Sequence, residues 1–250
     1  MSRHDDFQTY ILSLTPLAYW TFQGLAPGAL HDITGNGHDL TLVGGVTLAN
    51  TVPDFDGFQY ASMNGTSGYF TAAVPASLNT AQFTWLSLAH PTAANGYLVT
   101  TEVPATQGAT LGISDNAHSQ ALLGRMQDTG GAGITLIDTK PLGAYGAAFS
   151  LLGVTYDGVS LALDSNGLIV SALFNPVAYA PGNSVMHIGG NVAQTIFWTG
   201  GISDTAIFNR PLTIGEIATA ASKAGTGVSL PGSVQLDLLN QILAAVTRTY

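Results

Sequence analysis

Residues 149–173 restrict most what this chain can fold into. Ser150-Leu-Leu-Gly-Val-Thr-Tyr156 and Ser160-Leu-Ala-Leu-Asp164 alternate apolar with small or polar residues, the period of a strand that buries one face. Asp157-Gly158 and Asn166-Gly167 stand between the apolar runs, and both pairs accept the positive φ of tight hairpin turns. Together they predict a three-stranded meander. The same pattern predicts strands over 18–22, 39–43, 59–63, 69–73, 83–90, 97–102, 109–113, 120–126, 134–137, 185–188 and 201–208. Short strands punctuated this regularly by Gly, Asn, Asp and Pro make an all-β antiparallel sandwich, not alternating helices and parallel strands.

Helical spacing is confined to the flanks. Phe7, Tyr10, Ile11 and Leu14 recur at three and four residues with Asp5 and Asp6 in the first turn, predicting a helix over 4–14 that Thr15-Pro16 stops. Thr213 and Glu216 read as a capping box for a helix over 217–224, with Gly225 as its stop. Residues 225–233 have linker composition, and 234–247 read as a further helix capped by Ser233. Along it Leu236, Leu239, Leu243, Val246 and Tyr250 form an apolar seam that Leu238 and Ile242 widen. Two heptads are too few for an isolated coiled coil. The seam must bury itself on the sandwich, against other copies of the chain, or against another protein. The expected organisation is a helix in 1–16, a sandwich in 17–224, a linker in 225–233 and an assembly or docking helix in 234–250.

Charge narrows the partners. Only 8% of residues are charged, against roughly 25% in ordinary soluble proteins. Such a surface suits packing into a larger assembly, or meeting sugars through hydroxyl and amide groups. Net charge is -9 and the six basic residues are scattered singly, which argues against nucleic acid, whose phosphates need clustered cations. Without cysteine there are no disulfides or thiolate metal sites. No apolar run approaches the ~20 residues of a membrane span, and the N-terminus lacks a secretory pattern. The expectation is a chain made without a secretion signal and not inserted in a membrane.

Three distant segments carry a family likeness: Leu17-Ala-Tyr-Trp-Thr-Phe22 with Asp32-Ile-Thr-Gly-Asn-Gly-His38, Phe83-Thr-Trp-Leu-Ser-Leu88, and Gly201-Ile-Ser-Asp-Thr-Ala-Ile-Phe-Asn-Arg-Pro-Leu212. In that order, with Phe55-Asp-Gly57 between the first two, they resemble the laminin-G-like, concanavalin-A-like jelly-roll family across roughly residues 10–223. The lead-in from Tyr10 to Phe22 is similar to that of bacteriophage tail and surface proteins of this type, although Thr21 and Phe22 stand where those carry Arg-Leu. The resemblance implies a jelly-roll sandwich that serves mainly as a binding or structural module.

Enzymes of this fold cleave glycans with paired carboxylates on one strand, roughly 5–9.5 Å apart. This chain has two glutamates: Glu216 is absorbed by the capping box, and Glu102 has no carboxylate two or four residues away. No nucleophile elbow or phosphate loop is present, and the histidines lack zinc-ligand spacing apart from the loose His31/His38 couple, which reads as solvated loop residues or a metal pair. Catalysis is not expected. In relatives the loop matching Asp32–Gly37 lies near the aspartate matched by Asp204, so calcium on Asp32, Asn36 and Asp204 is one expectation. Ser203 shifts Asp204 by one position, which can turn it to the other face. The alternative is a turn shaped by Gly35 and Gly37 and capped by Asp32.

Tyr19, Trp20, Phe22, Phe55, Tyr69, Phe83, Trp85, Phe149 and Phe208 alternate within predicted strands and read as core. Phe197 and Trp198 adjoin, so one faces outward. Trp198, with Tyr97 or Tyr179, is a candidate platform for a sugar ring, or else covers the core edge. Three functions compete: a bacteriophage virion component, of minor tail or surface type, that contacts other virion proteins, itself and host polysaccharide; a stand-alone carbohydrate-binding module; and, last, a glycan hydrolase. The first implies assembly in the host cytoplasm and residence in the virion.

Overall fold

The computed structural model describes residues 2–22, 29–51, 59–73, 82–102, 107–114, 120–127, 133–138, 149–174, 185–191 and 193–226, without the side chains of 48–51 and 171–174. In chain order the elements are α1 (Arg3–Ser13), β1 (Ala18–Thr21), β2 (Ala29–Leu30), β3 (Leu40–Val43), β4 (Val46–Thr51), β5 (Gln59–Asn64), β6 (Tyr69–Ala73), β7 (Phe83–Pro91) and β8 (Gly96–Thr100). There follow β9 (Gly108–Ile113), β10 (Leu122–Gln127), β11 (Gly133–Ile137), β12 (Ser150–Tyr156), β13 (Ser160–Ser165), β14 (Leu168–Phe174), β15 (Val185–Ile188), β16 (Thr199–Phe208) and α2 (Ile214–Ala224).

Two antiparallel sheets stack face to face. One runs β14-β13-β12-β7-β16-β5-β4, with β1 also paired to β16; the other runs β11-β10-β9-β8-β15-β6-β3-β2. Each strand expected from periodicity is present. The short β2 and the weakly patterned β4 are additional. The meander β12-β13-β14 forms as expected, with Asn166 and Gly167 at φ 52° and 86° in its second turn. Between the sheets lie Trp20, Phe22, Phe70, Trp85, Tyr156 and Trp198. Phe22 and Phe70 meet across the interface with ring centroids 5.1 Å apart.

A second apolar layer covers the outer face of the first sheet. Phe7 and Ile11 of α1, with Leu14, pack on Leu86, Leu88, Leu151 and Phe208, beside Ile217, Ala220 and Ala221 of α2. Both helices open with a capping box. In α2 it is Thr213 with Glu216, as expected; in α1 it is Ser2 with Asp5. Gly225 closes α2 at φ 75°, where a side chain would also run into Arg3. Lys223 Nζ lies 2.8 Å from Asp6, and Arg210 binds Glu216 at 2.8 and 3.1 Å. Replacing Thr213 with alanine removes an acceptor for a free helix N–H and is expected to lower stability by about 1 kcal/mol. Chemical denaturation checks it: a midpoint identical to wild type would mean that the box does not hold α2.

Polar groups are buried on this helix-covered side. The Leu212 N–H donates to Thr84 Oγ1 (2.8 Å), the Thr84 hydroxyl to Thr155 Oγ1 (3.3 Å), and the Thr155 hydroxyl to Asp164 Oδ2 (3.4 Å). Asp164 is 2% exposed, and burial pushes its carboxyl up to about 7 against the weak opposing hydrogen bond. Among the described residues no helix is long and apolar enough to cross a membrane. The expected helix in 234–250 and its seam of Leu236, Leu239, Leu243 and Val246 lie outside the described residues, as does Phe55.

Candidate functional site

The helices leave the outer face of the second sheet as the other broad surface. Its polar residues align because antiparallel register places them side by side. Thr41 pairs with Thr71, Thr71 with His187, and His187 with Thr100. Thr100 then pairs with Thr110, Thr110 with Arg125, and Arg125 with Thr135. Their strand neighbours Phe70, Ile188, Val99, Leu111 and Met126 enter the core. With side chains alternating across each strand, the polar row lies on the side away from the inter-sheet core. Thr41 and Thr135 at its ends are exposed, whereas His187, Thr100 and Thr110 at its middle are buried.

Near the middle of this row sits a buried ion pair. Glu102, just beyond β8, accepts a hydrogen bond from Thr110 Oγ1 at 2.8 Å and pairs with the Arg125 guanidinium. Its own N–H donates to Thr100 Oγ1 at 3.0 Å, and the Thr100 and Thr110 hydroxyls lie 2.7 Å apart. Gly108 makes this approach possible: at φ 108°, its Cβ would stand 2.5 Å from Glu102 Cα. Tyr97 is half-buried on the same face, opposite Gly112. Burial raises the Tyr97 phenol pKa, the Glu102 charge adds to the rise, and Arg125 opposes it.

Two polar atoms on this face have no partner. His187 is stacked on Tyr69, ring centroids 5.1 Å apart and planes 12° apart, yet its buried Nδ1 makes no hydrogen bond. Burial lowers the His187 pKa. Gln127 Oε1 is likewise buried and unpaired. Partnerless buried polar atoms are uncommon in folded proteins and cost about 1–3 kcal/mol each. Both atoms are shut off from solvent, a cost built into this side of the sheet.

The sugar-platform reading of Trp198 needs correction. Trp198 is 1% exposed within the inter-sheet core, and its ring and Cα lie 3.2 Å from where a Gly96 side chain would start. The outward member of the adjoining pair is Phe197, half-buried, its ring centroid 6.3 Å from that of Tyr69. Tyr97 is on the polar face. Tyr179 lies outside the described residues.

Nor does the fold assemble Asp32, Asn36 and Asp204 around one point. Asp32 Oδ1 accepts from the Tyr19 N–H, the Thr34 N–H and the Thr34 hydroxyl at 3.0, 3.0 and 2.7 Å, and Oδ2 from the His38 N–H at 3.2 Å. The Asn36 amide donates to Leu17 O at 2.8 Å. These bonds make the loop a structural turn against β1, closed by Trp20 Nε1 on His38 O (2.7 Å) and by Asp39, which accepts the Asp32 N–H at 2.8 Å. Asp204 is elsewhere because β16 bulges between Ile202 and Asp204, leaving Ser203 as the extra residue. It lies beneath α1, where its Oδ1 accepts from the Tyr19 hydroxyl at 2.7 Å and lies 3.3 Å from His4 Nε2. Its Oδ2 accepts from Ser203 at 2.8 Å. Tyr19 thus separates the two carboxylates, with Asp32 on its main chain and Asp204 on its phenol. Among the described residues no three His, Asp or Glu side chains converge as metal ligands.

No family model matches the sequence, and no curated protein does. The fold has solved counterparts. The binding domain of Paraclostridial Mosquitocidal Protein 1 superposes with TM-score 0.64 at 17% identity, over 84% of this chain and 52% of that one. The binding domain of botulinum neurotoxin DC in complex with SialylT gives 0.62 at 12% identity, over 84% and 52%. A botulinum neurotoxin type C structure, reported for entry that depends on two ganglioside molecules, gives 0.63 at 12% identity, over 83% and 50%. The chain spans about half the length of these neighbours. At such identities the likeness establishes the antiparallel jelly-roll sandwich and nothing finer.

Proposed function

We propose that this chain is a non-enzymatic, lectin-like binding module that engages glycans with the outer face of its second sheet around Tyr97. The observation that carries this reading is the half-buried Tyr97 beside the Glu102–Arg125–Thr110 network, on a face that also holds two unsatisfied polar atoms. An aromatic ring flanked by fixed hydrogen-bonding groups suits a sugar, which offers an apolar ring face and a rim of hydroxyls. The Glu102 carboxylate is neutralised by Arg125 instead of being set against a second carboxylate, which supports binding without hydrolysis. Glycan-bound and ganglioside-dependent examples among the structural neighbours support the same class.

The finer proposal is a bacteriophage virion component, of minor tail or surface type, directed at host polysaccharide. It rests on the Tyr10 to Phe22 lead-in and the low charge. Self-assembly or docking on other virion proteins is assigned to the seam of Leu236, Leu239, Leu243 and Val246. A Leu239→Lys, Leu243→Lys double variant is expected to elute at a lower oligomeric mass, and an unchanged mass would remove the seam from assembly. The stand-alone lectin is the reading favoured if the wild-type chain is monomeric and still binds.

For the binding face, Tyr97→Ala is expected to weaken saturable binding to isolated bacterial envelopes at least about tenfold, a loss of ~1.4 kcal/mol. Val159→Ala, at an exposed hairpin of the other sheet, should leave binding intact. Equal binding by wild type and Tyr97→Ala would remove Tyr97 from the site. Absence of binding by wild type to any envelope or polysaccharide would favour a purely architectural part.

A further inference from the structure

Asparagine is a thermolabile residue, most of all before glycine, whose main-chain nitrogen no side chain shields. That nitrogen attacks the asparagine Cγ: the N–Cγ bond forms, the Cγ–Nδ2 bond breaks, and ammonia leaves behind a five-membered succinimide. Water then opens the ring. Opening at Cγ gives aspartate, and opening at the main-chain carbonyl gives isoaspartate, in which the chain runs through Cβ and Cγ.

The sequence holds four such pairs, Asn36-Gly37, Asn64-Gly65, Asn95-Gly96 and Asn166-Gly167. The fold restrains three of them. Asn166 Oδ1 accepts the Leu151 N–H at 2.9 Å, its Nδ2 donates to Ser150 Oγ at 3.3 Å, and Gly167 is buried. Asn64 Oδ1 accepts the Thr66 and Ser67 N–H groups at 2.9 and 3.1 Å, and Gly65 lies tight against the Thr199 side chain. Asn95 is exposed, but Gly96 is buried against Trp198, which fixes the attacking main chain.

Asn36-Gly37 differs. Both residues are exposed, and no atom lies within 4 Å of where a Gly37 side chain would start. Among the described residues nothing accepts the Gly37 N–H. One contact holds the carboxamide, from Asn36 Nδ2 to Leu17 O at 2.8 Å. Either product removes it, because a carboxylate has no N–H to give. Isoaspartate also adds a methylene to the main chain just ahead of His38, whose N–H reaches Asp32 Oδ2 (3.2 Å) and whose carbonyl holds Trp20 Nε1 (2.7 Å). The new charge joins a turn that already carries Asp32 and Asp39.

We propose that Asn36 is a spontaneous modification site. In the folded protein water converts it to aspartate and isoaspartate ahead of the other three pairs, and the change loosens the clasp of the Asp32–His38 turn on β1.

The test uses hydroxylamine, which cleaves a chain at a succinimide, on the full chain folded and unfolded, with mass spectrometry of the fragments. Samples held in mildly alkaline buffer are peptide-mapped in parallel. The folded protein is expected to react at Asn36 at least about tenfold faster than at Asn64, Asn95 or Asn166, and the unfolded chain at similar rates at all four. Protein carrying isoaspartate at position 36 should melt below unmodified protein. Asn36→Gln, whose longer side chain closes a ring poorly, should show neither cleavage at this site nor loss of melting temperature on storage. Equal reaction at the four pairs in the folded protein, or faster reaction at another, would overturn the site. Modification of Asn36 with an unchanged melting temperature would overturn its effect on the clasp.

Discussion

Asp164→Asn is expected to raise the thermal unfolding temperature markedly at pH 8 and to lose most of that gain by pH 4. The side chain is 2% exposed on the helix-covered side of the first sheet, and the hydrogen bond it accepts from the Thr155 hydroxyl is long at 3.4 Å. Burial therefore holds its carboxyl near 7, where an unfolded chain has it at 3.8. The folded state binds the extra proton between those values. Asp164 thus adds no penalty below the unfolded pKa, and stability is lost progressively as pH rises from about 4 to 7. A difference of about three pKa units corresponds to on the order of 4 kcal/mol by pH 8. Asparagine keeps the shape and one acceptor oxygen for the Thr155 hydroxyl without the charge. For a chain of this size the gain is on the order of 10 °C. Calorimetry of both proteins at the two pH values checks it. A shift that is the same at pH 4 and pH 8 would show that ionisation of Asp164 is not what limits stability.

Asp204→Ala should have a comparable effect in the opposite direction. Asp204 is 1% exposed and serves the Tyr19 phenol, the His4 ring and the Ser203 hydroxyl together. Its loss takes this acceptor from the Tyr19 phenol and the His4 ring, while the Ser203 hydroxyl keeps Gln59 O at 3.1 Å. Removing one partner of a buried ion pair costs about 3–5 kcal/mol. His4→Ala alone should cost less, and the double variant less than the sum. Burial by itself would depress the His4 pKa; the hydrogen bond and charge of Asp204, with the charge of Asp5, outweigh it and raise the value. The His4 contribution is accordingly full below 6.5 and fades as pH climbs through its raised folded pKa. In Asp204→Ala that alkaline decline should disappear. Denaturant midpoints across pH, with hydrogen exchange in α1, test this. Loss below about 1 kcal/mol, or unaltered α1 protection, would mean that the cluster does not pin the helix.

The sandwich was legible in the sequence because period-two burial and Asx-Gly turns are local signals, and in β12 to β14 they coincide. β4 was not, since Val46-Thr-Leu-Ala-Asn-Thr51 follows two glycines and shows no clean alternation. The site was harder to read. Tyr97 stands out as an aromatic in a strand, but Glu102 is solitary along its own strand. Its partners come from β9 and β10, with Arg125 23 residues away, and cross-strand register brings them together. A Thr, Arg or His at one outward position of each successive strand is the signal that would have found the row. Trp198 shows a different limit: two adjoining aromatics fix that one faces outward, and packing against Gly96 decides which. Asp204 depended on a bulge, which a strand pattern does not announce.

β16 is bonded to β7 along one side and, on the other, to β5 through Thr199–Ile202 and then to β1 through Asp204–Ile207. The first strand of the sheet is therefore held by the last, about 185 residues later in the chain. Contacts of such sequence separation form slowly, because the intervening loop must close before any hydrogen bond compensates for it. During synthesis Trp20 and Phe22 wait without their strand partner until residue 207 has left the ribosome. Sealing the inter-sheet core is then a late event, and an interrupted chain leaves its most aromatic segment open to wrong partners.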